Sequence, residues 1–95
     1  MYNKNDKRRI YWLIESYLSE DIDEVTFCDE YYYSYDLEIN YDELSVIEQK
    51  CFSDLSIVSS RFSESMNDHE FAPKAFSTKK ELREKIIEIQ HKLKK

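Results

Sequence analysis

The chain has 95 residues, with twenty carboxylates against fourteen lysines and arginines for a formal charge of -6, and an isoelectric point near 4.9. That length makes one small domain, spanning 1–95, whose core supplies only a few kcal/mol beyond chain entropy, and the charge opposes direct contact with nucleic acid or an anionic membrane. Glycine is absent and Pro73 is the only proline, so phosphate-cradling loops, nucleophile elbows and two-residue hairpins lack their usual residue, and helices are expected.

Residues 5–18 place Ile10, Leu13, Ile14, Tyr17 and Leu18 at helical spacing, and polar Ser19, Glu20 and Asp21 end the pattern. This predicts a first helix. Trp12 lies off its apolar stripe, as expected either for a ring buried on a second side or for an anchor in a partner interface. Asp23 suits an N-cap, and the helix it opens sets Phe27, Cys28, Tyr31 and Tyr35 on one face and Asp29, Glu30 and Tyr33 on the other. The run Tyr31 to Tyr33 also has strand propensity, so a short strand competes with this second helix. Asn40 and Asn67 are the best candidates for positive φ in a chain without glycine.

From Asp42 to Phe62, the positions Leu44, Ile47, Cys51, Leu55, Val58 and Phe62 step by three, four or seven residues, which predicts a long amphipathic third helix. Val46 and Ile57 fall away from its stripe. The connection over residues 63–77 is long for a compact bundle and carries Glu64, Asp68 and Glu70 with Phe71 and Phe76, fitting either a functional loop or one whose rings cap the bundle end. Thr78 with Glu81 forms a capping-box pattern. Behind it, Leu82, Ile86, Ile89 and Leu93 predict a fourth helix, with Lys92, Lys94 and Lys95 at its negative end. The fold expected is all-α, a four-helix antiparallel bundle.

Little here points to catalysis. Asp68, His69 and Glu70 sit together, but a metal site needs further ligands at matched spacing, and the other histidine, His91, lies in a lysine-rich helix. The serines show no base and orienting acid, and no carboxylate pair stands in a distinctive framework. No enzyme activity, cofactor, metal or small-molecule ligand is expected. Cys28 and Cys51 fall on apolar faces as small hydrophobes, and with neither a secretory leader nor a membrane-length apolar run, a reduced cytoplasmic protein is expected.

The strongest functional clue is a gap. No lysine or arginine occurs between Arg9 and Lys50, yet that stretch holds twelve of the twenty carboxylates and seven of the eight tyrosines. Such a block is either a solvated acidic face or a surface that enters a cationic cleft, its carboxylates standing in for phosphates and its rings for bases. Tyr17, Tyr31 and Tyr35 are expected in the core. The candidate partner-binding residues are Asp29, Glu30, Tyr32, Tyr33, Asp36, Glu38, Tyr41, Asp42 and Glu43, joined by Asp68 and Glu70 of the connection.

Three segments also carry a likeness to a known family. "DIDEVTFCDEYY" has Ile22, Phe27 and Tyr31; "CFSDLSIVSSRF" has Phe52, Leu55, Val58, Arg61 and Phe62; and "STKKELREKIIEI" follows an acidic loop. Over roughly residues 10–93 this order resembles the colicin D-type self-protective immunity proteins of bacteria, which include immunity partners of contact-dependent growth-inhibition toxins. The resemblance implies a small four-helix bundle that binds the basic nuclease domain of a cognate toxin, a tRNase, and blocks its RNA-binding, catalytic cleft. The competing expectation is an acidic nucleic-acid mimic or adaptor that binds a host nucleic-acid-binding protein.

Overall fold

The computed structural model describes residues 3–62 and 76–93. Four helices follow in chain order: α1 (Lys7–Leu18), α2 (Glu24–Tyr31), α3 (Val46–Ser60) and α4 (Lys79–Leu93). A π-turn over Tyr32–Asp36 extends α2, and a 3-10 turn over Tyr41–Glu43 precedes α3. The described residues contain no strand. Tyr31 to Tyr33 are helical, because stacking of Phe27 on Tyr31 at 5.6 Å and of Tyr31 on Tyr35 at 5.4 Å rewards the four-residue helical repeat.

Each helix begins where a side chain can satisfy its orphan amides. Asp6 accepts from the Arg8 amide at 2.9 Å, so α1 starts at Lys7, and Asp23 accepts from the Thr26 amide at 2.8 Å to open α2. The third helix starts at Val46, not at Asp42. Ser45 caps it through a reciprocal box, its hydroxyl accepting from the Glu48 amide at 3.2 Å while Glu48 accepts from the Ser45 amide at 2.8 Å. Thr78 and Glu81 form the second such box at the start of α4, with bonds of 3.0 and 3.1 Å.

The positive-φ position is a further correction. Asn40 has φ -83, and its side chain instead accepts from the Asp42 amide at 3.1 Å to open the 3-10 turn; Asn67 lies outside the described residues. Among the described residues the left-handed one is Glu20, at φ 65. It closes α1 in a Schellman arrangement, with the Asp21 amide on the Ser16 carbonyl at 2.9 Å and the Glu20 amide on that of Tyr17 at 3.0 Å. Without glycine, that conformation costs about 1 kcal/mol.

Helix α1 packs on α2 and α4, and α3 packs on α2 and α4, so the helices follow one another around the bundle and the fourth closes it. The core joins Ile10, Leu13, Ile14 and Tyr17 of α1 with Phe27 and Tyr31, then with Phe52 and Leu55, and finally with Leu82, Ile86 and Ile89. Each such side chain, fully buried, contributes about 1.5–3 kcal/mol. The Ser77 amide donates to the Arg61 carbonyl at 2.7 Å and pairs Phe62 with Ser77, which holds the residues after α3 beside those before α4. No described helix is long and apolar enough to cross a membrane. Trp12 is half-buried, whereas Val46 and Ile57 stand exposed.

Candidate functional site

The acidic block divides according to what faces each carboxylate. On the inner side, Arg9 is 8% exposed and reaches from α1 across to the end of α2. A guanidinium taken from water needs acceptors and countercharge. Glu30 supplies both at 3.0 Å, Ser34 Oγ accepts from Nε at 3.1 Å, and the Trp12 ring lies 5.6 Å from the guanidinium carbon. Glu48 binds α1 to α3 in the same manner, accepting from Lys7 Nζ at 3.2 Å and from the Tyr11 hydroxyl. Burial by itself raises the Glu48 carboxyl, but the Ser45 amide, Tyr11 hydroxyl and Lys7 ammonium together hold it below 4.5. Glu24 accepts from the Tyr17 hydroxyl at 2.9 Å and sits 3.8 Å from Lys79 Nζ.

From α2 to the start of α3, the remaining acids face outward. Asp29, Asp36, Glu38, Asp42 and Glu43 are exposed, and Tyr32, Tyr33 and Tyr41 are each nearly half exposed. The π-turn organises this surface. Its wide loop puts the Ile39 amide on the Ser34 carbonyl at 2.8 Å, buries Ser34 against Arg9, and leaves Tyr32 and Tyr33 outward in an edge-to-face pair at 5.8 Å. Lys4 Nζ lies 5.3 Å from the Tyr33 ring centroid. Asp36 accepts from the Ser56 hydroxyl at 3.2 Å, which ties the turn to α3.

Asp29 lies on α2, Tyr32, Tyr33 and Asp36 lie on its π-turn, Glu38 follows just beyond, and Tyr41, Asp42 and Glu43 form the next turn. Glu30 enters this surface only at its edge, because its carboxylate is engaged by Arg9. Asp68 and Glu70 lie outside the described residues. Sequence periodicity passed over exposed Leu37 and Val25, which add apolar area beside the acids. Their signal was present, since neither belongs to the stripe of Phe27, Cys28, Tyr31 and Tyr35.

Tyr17 and Tyr31 are buried, and Tyr35 is half-buried against the core. Burial, reinforced by Glu24, pushes the Tyr17 phenol up to about 12; burial with Tyr35 and Asp36 nearby pushes Tyr31 well above its ordinary value. These rings stay neutral at physiological pH. Among the described residues no group of three or more histidines, cysteines and carboxylates is placed to hold a metal, and no buried side-chain nitrogen or oxygen lacks a hydrogen-bond partner. The outer surface presents fixed negative charge beside rings with polar tips.

A hollow of about 430 Å³ lies between the α1–α2 connection and α4. Arg83 stands among Asp21, Asp23 and Glu24 there, with its guanidinium carbon 5.8 Å from the Tyr17 ring, so its charge is partly balanced from within. Compared with known proteins, the chain matches no family model, no curated protein and no solved structure.

Proposed function

We propose that this protein is an immunity-type inhibitor, which binds a basic nuclease toxin in the cytoplasm and occupies its RNA-binding cleft. It acts by binding and not by catalysis, and the resemblance to the colicin D-type immunity proteins makes a tRNase the first toxin class to test. One observation carries the reading. The acids that hold the fold together are matched by Lys7, Arg9 and Lys79, while Asp29, Asp36, Glu38, Asp42 and Glu43 stay exposed in a stretch without any lysine or arginine, among outward tyrosines.

In this mechanism the exposed carboxylates draw in the lysines and arginines that otherwise hold RNA phosphates, and association approaches about 10⁸ M⁻¹s⁻¹ at low salt. Tyr32, Tyr33 and Tyr41 then pack against the cleft. Truncating an anchoring ring costs on the order of 2 kcal/mol, mainly through faster release.

The test begins with affinity capture of the partner and continues with stopped-flow association over a range of salt. Reversing charge at Asp29, Glu38, Asp42 and Glu43 together slows association at least tenfold at low salt and flattens its salt dependence. An unchanged rate in a folded variant refutes the acidic-face mechanism. Capture of a host nucleic-acid-binding protein without toxin activity favours the mimic or adaptor reading instead.

A further inference from the structure

Beside the acidic surface, between α2 and the C-terminal half of α3, runs an open groove of about 440 Å³. Val25, Cys28 and Tyr32 form one wall, and Ser59, Ser60 and Phe62 the other. It exists because α3 presents small side chains here. Those serines turn their hydroxyls back onto their own helix, Ser59 to the Ser56 carbonyl at 3.3 Å and Ser60 to the Ile57 carbonyl at 3.0 Å, so their protons are spent. Burial pushes the Cys28 thiol up to about 12, which keeps it an uncharged, weakly polar lining group. Val25 is 43% and Tyr32 49% exposed, an apolar stripe that no described element covers.

The charge around the groove is uneven. Asp29 borders it, a narrow extension leads to Asp36 and Ser56, and the whole α2 wall belongs to the stretch without lysine or arginine. Arg61, which precedes Phe62 in the chain, is exposed. An occupant complementary to these walls is apolar where it enters and positive toward Asp29 and Asp36. The described residues contain no strand whose edge an extended segment could join, so helix-in-groove docking is the recognition mode that fits.

We infer that the groove receives an apolar side chain carried by a basic helix of the cationic protein that the acidic surface binds. This rests on the reading given under Proposed function and adds a second, apolar point of contact to it. Asp29 and Asp36 hold the cations flanking that side chain. The acids supply rate and orientation; the groove supplies discrimination between partners of similar charge, since a basic surface without the apolar side chain leaves it unfilled.

The experiment titrates the isotope-labelled full chain with two synthetic helical peptides of about 18 residues, or roughly five turns, equal in positive charge. One carries a leucine stripe among arginines and lysines, the other glutamine in place of each leucine. The leucine peptide is expected to bind about tenfold more tightly and to shift the amide resonances of Val25, Cys28, Ser59 and Ser60, whereas the glutamine peptide shifts only those of the exposed acids. Val25→Gln and Ser60→Phe, both at exposed positions, abolish the leucine advantage and leave the glutamine peptide's affinity unchanged. Equal affinities, or an advantage that survives both substitutions, overturn the groove and leave the acidic-surface reading standing. Absence of binding by either peptide overturns both.

Discussion

Asp29 and Glu30 are neighbours in sequence, yet Glu30 turns back to take Arg9 at 3.0 Å while Asp29 stands exposed at the rim of the α2–α3 groove. Glu43 and Glu48 repeat the contrast on either side of the α3 cap. The first is exposed on a 3-10 turn; the second is 7% exposed and gathers Ser45, Tyr11 and Lys7 around its carboxylate. Negative charge along this stretch therefore serves two ends. An inward acid is part of the fold's own balance of charge, and only an outward acid is available to a partner.

Among the inward acids, Glu30 depends most on its cation, Arg9. Arg9→Gln removes the countercharge of Glu30 and the donor to Ser34, and is expected to lower stability by about 2–3 kcal/mol, less than for a fully enclosed pair because Glu30 keeps some contact with water. Urea unfolding should show this as a lower midpoint at unchanged slope. Restored stability in the double variant Arg9→Met with Glu30→Leu would confirm that the loss comes from the stranded acid.

Glu48→Gln sharpens the contrast by adding a pH signature, with an expected loss of about 1–2 kcal/mol at neutral pH. The Glu48 carboxyl is held below 4.5 in the folded protein. Its contribution is therefore present above the unfolded value and fades as pH falls through and below that value. Denaturation midpoints of the parent and the variant should converge as pH is lowered from neutral to below 4.5. A difference that stays constant with pH would assign the loss to packing instead.

The smallest effect is expected on the outer side. Asp29→Lys and Glu38→Lys, alone or together, should change stability by no more than about 0.5 kcal/mol, since each group is exposed and its charge is screened by solvent. Thermal unfolding at two salt concentrations measures this. A loss as large as that for Arg9→Gln would erase the distinction between inward and outward acids.

Much of the architecture was legible because it is written at short range. The four-residue repeat put Tyr31 and Tyr35 on the inner face, and Thr78 with Glu81 announced the start of α4. Ser45 with Glu48 carried the same capping signature, but the spacing of Leu44 and Ile47 suggested a helix already under way. Glu20 was unforeseeable from propensity, because a Schellman closure imposed positive φ on a residue that does not favour it. Of the candidate surface, the outward position of Tyr33 was readable from helical phase, but the groove depends on which two faces meet.

By itself the sequence determined four amphipathic helices, an interior built on their stripes, and an acidic stretch empty of lysine and arginine. Only the tertiary structure decided which acids are spent on Lys7, Arg9 and Lys79, and that the small residues of α3 lie opposite Val25 and Cys28. The reason is physical range. Helical phase is set by residues three and four apart, whereas the pairing of a buried charge and the shape of a groove are set between elements twenty to forty residues apart, brought together by burial of the core.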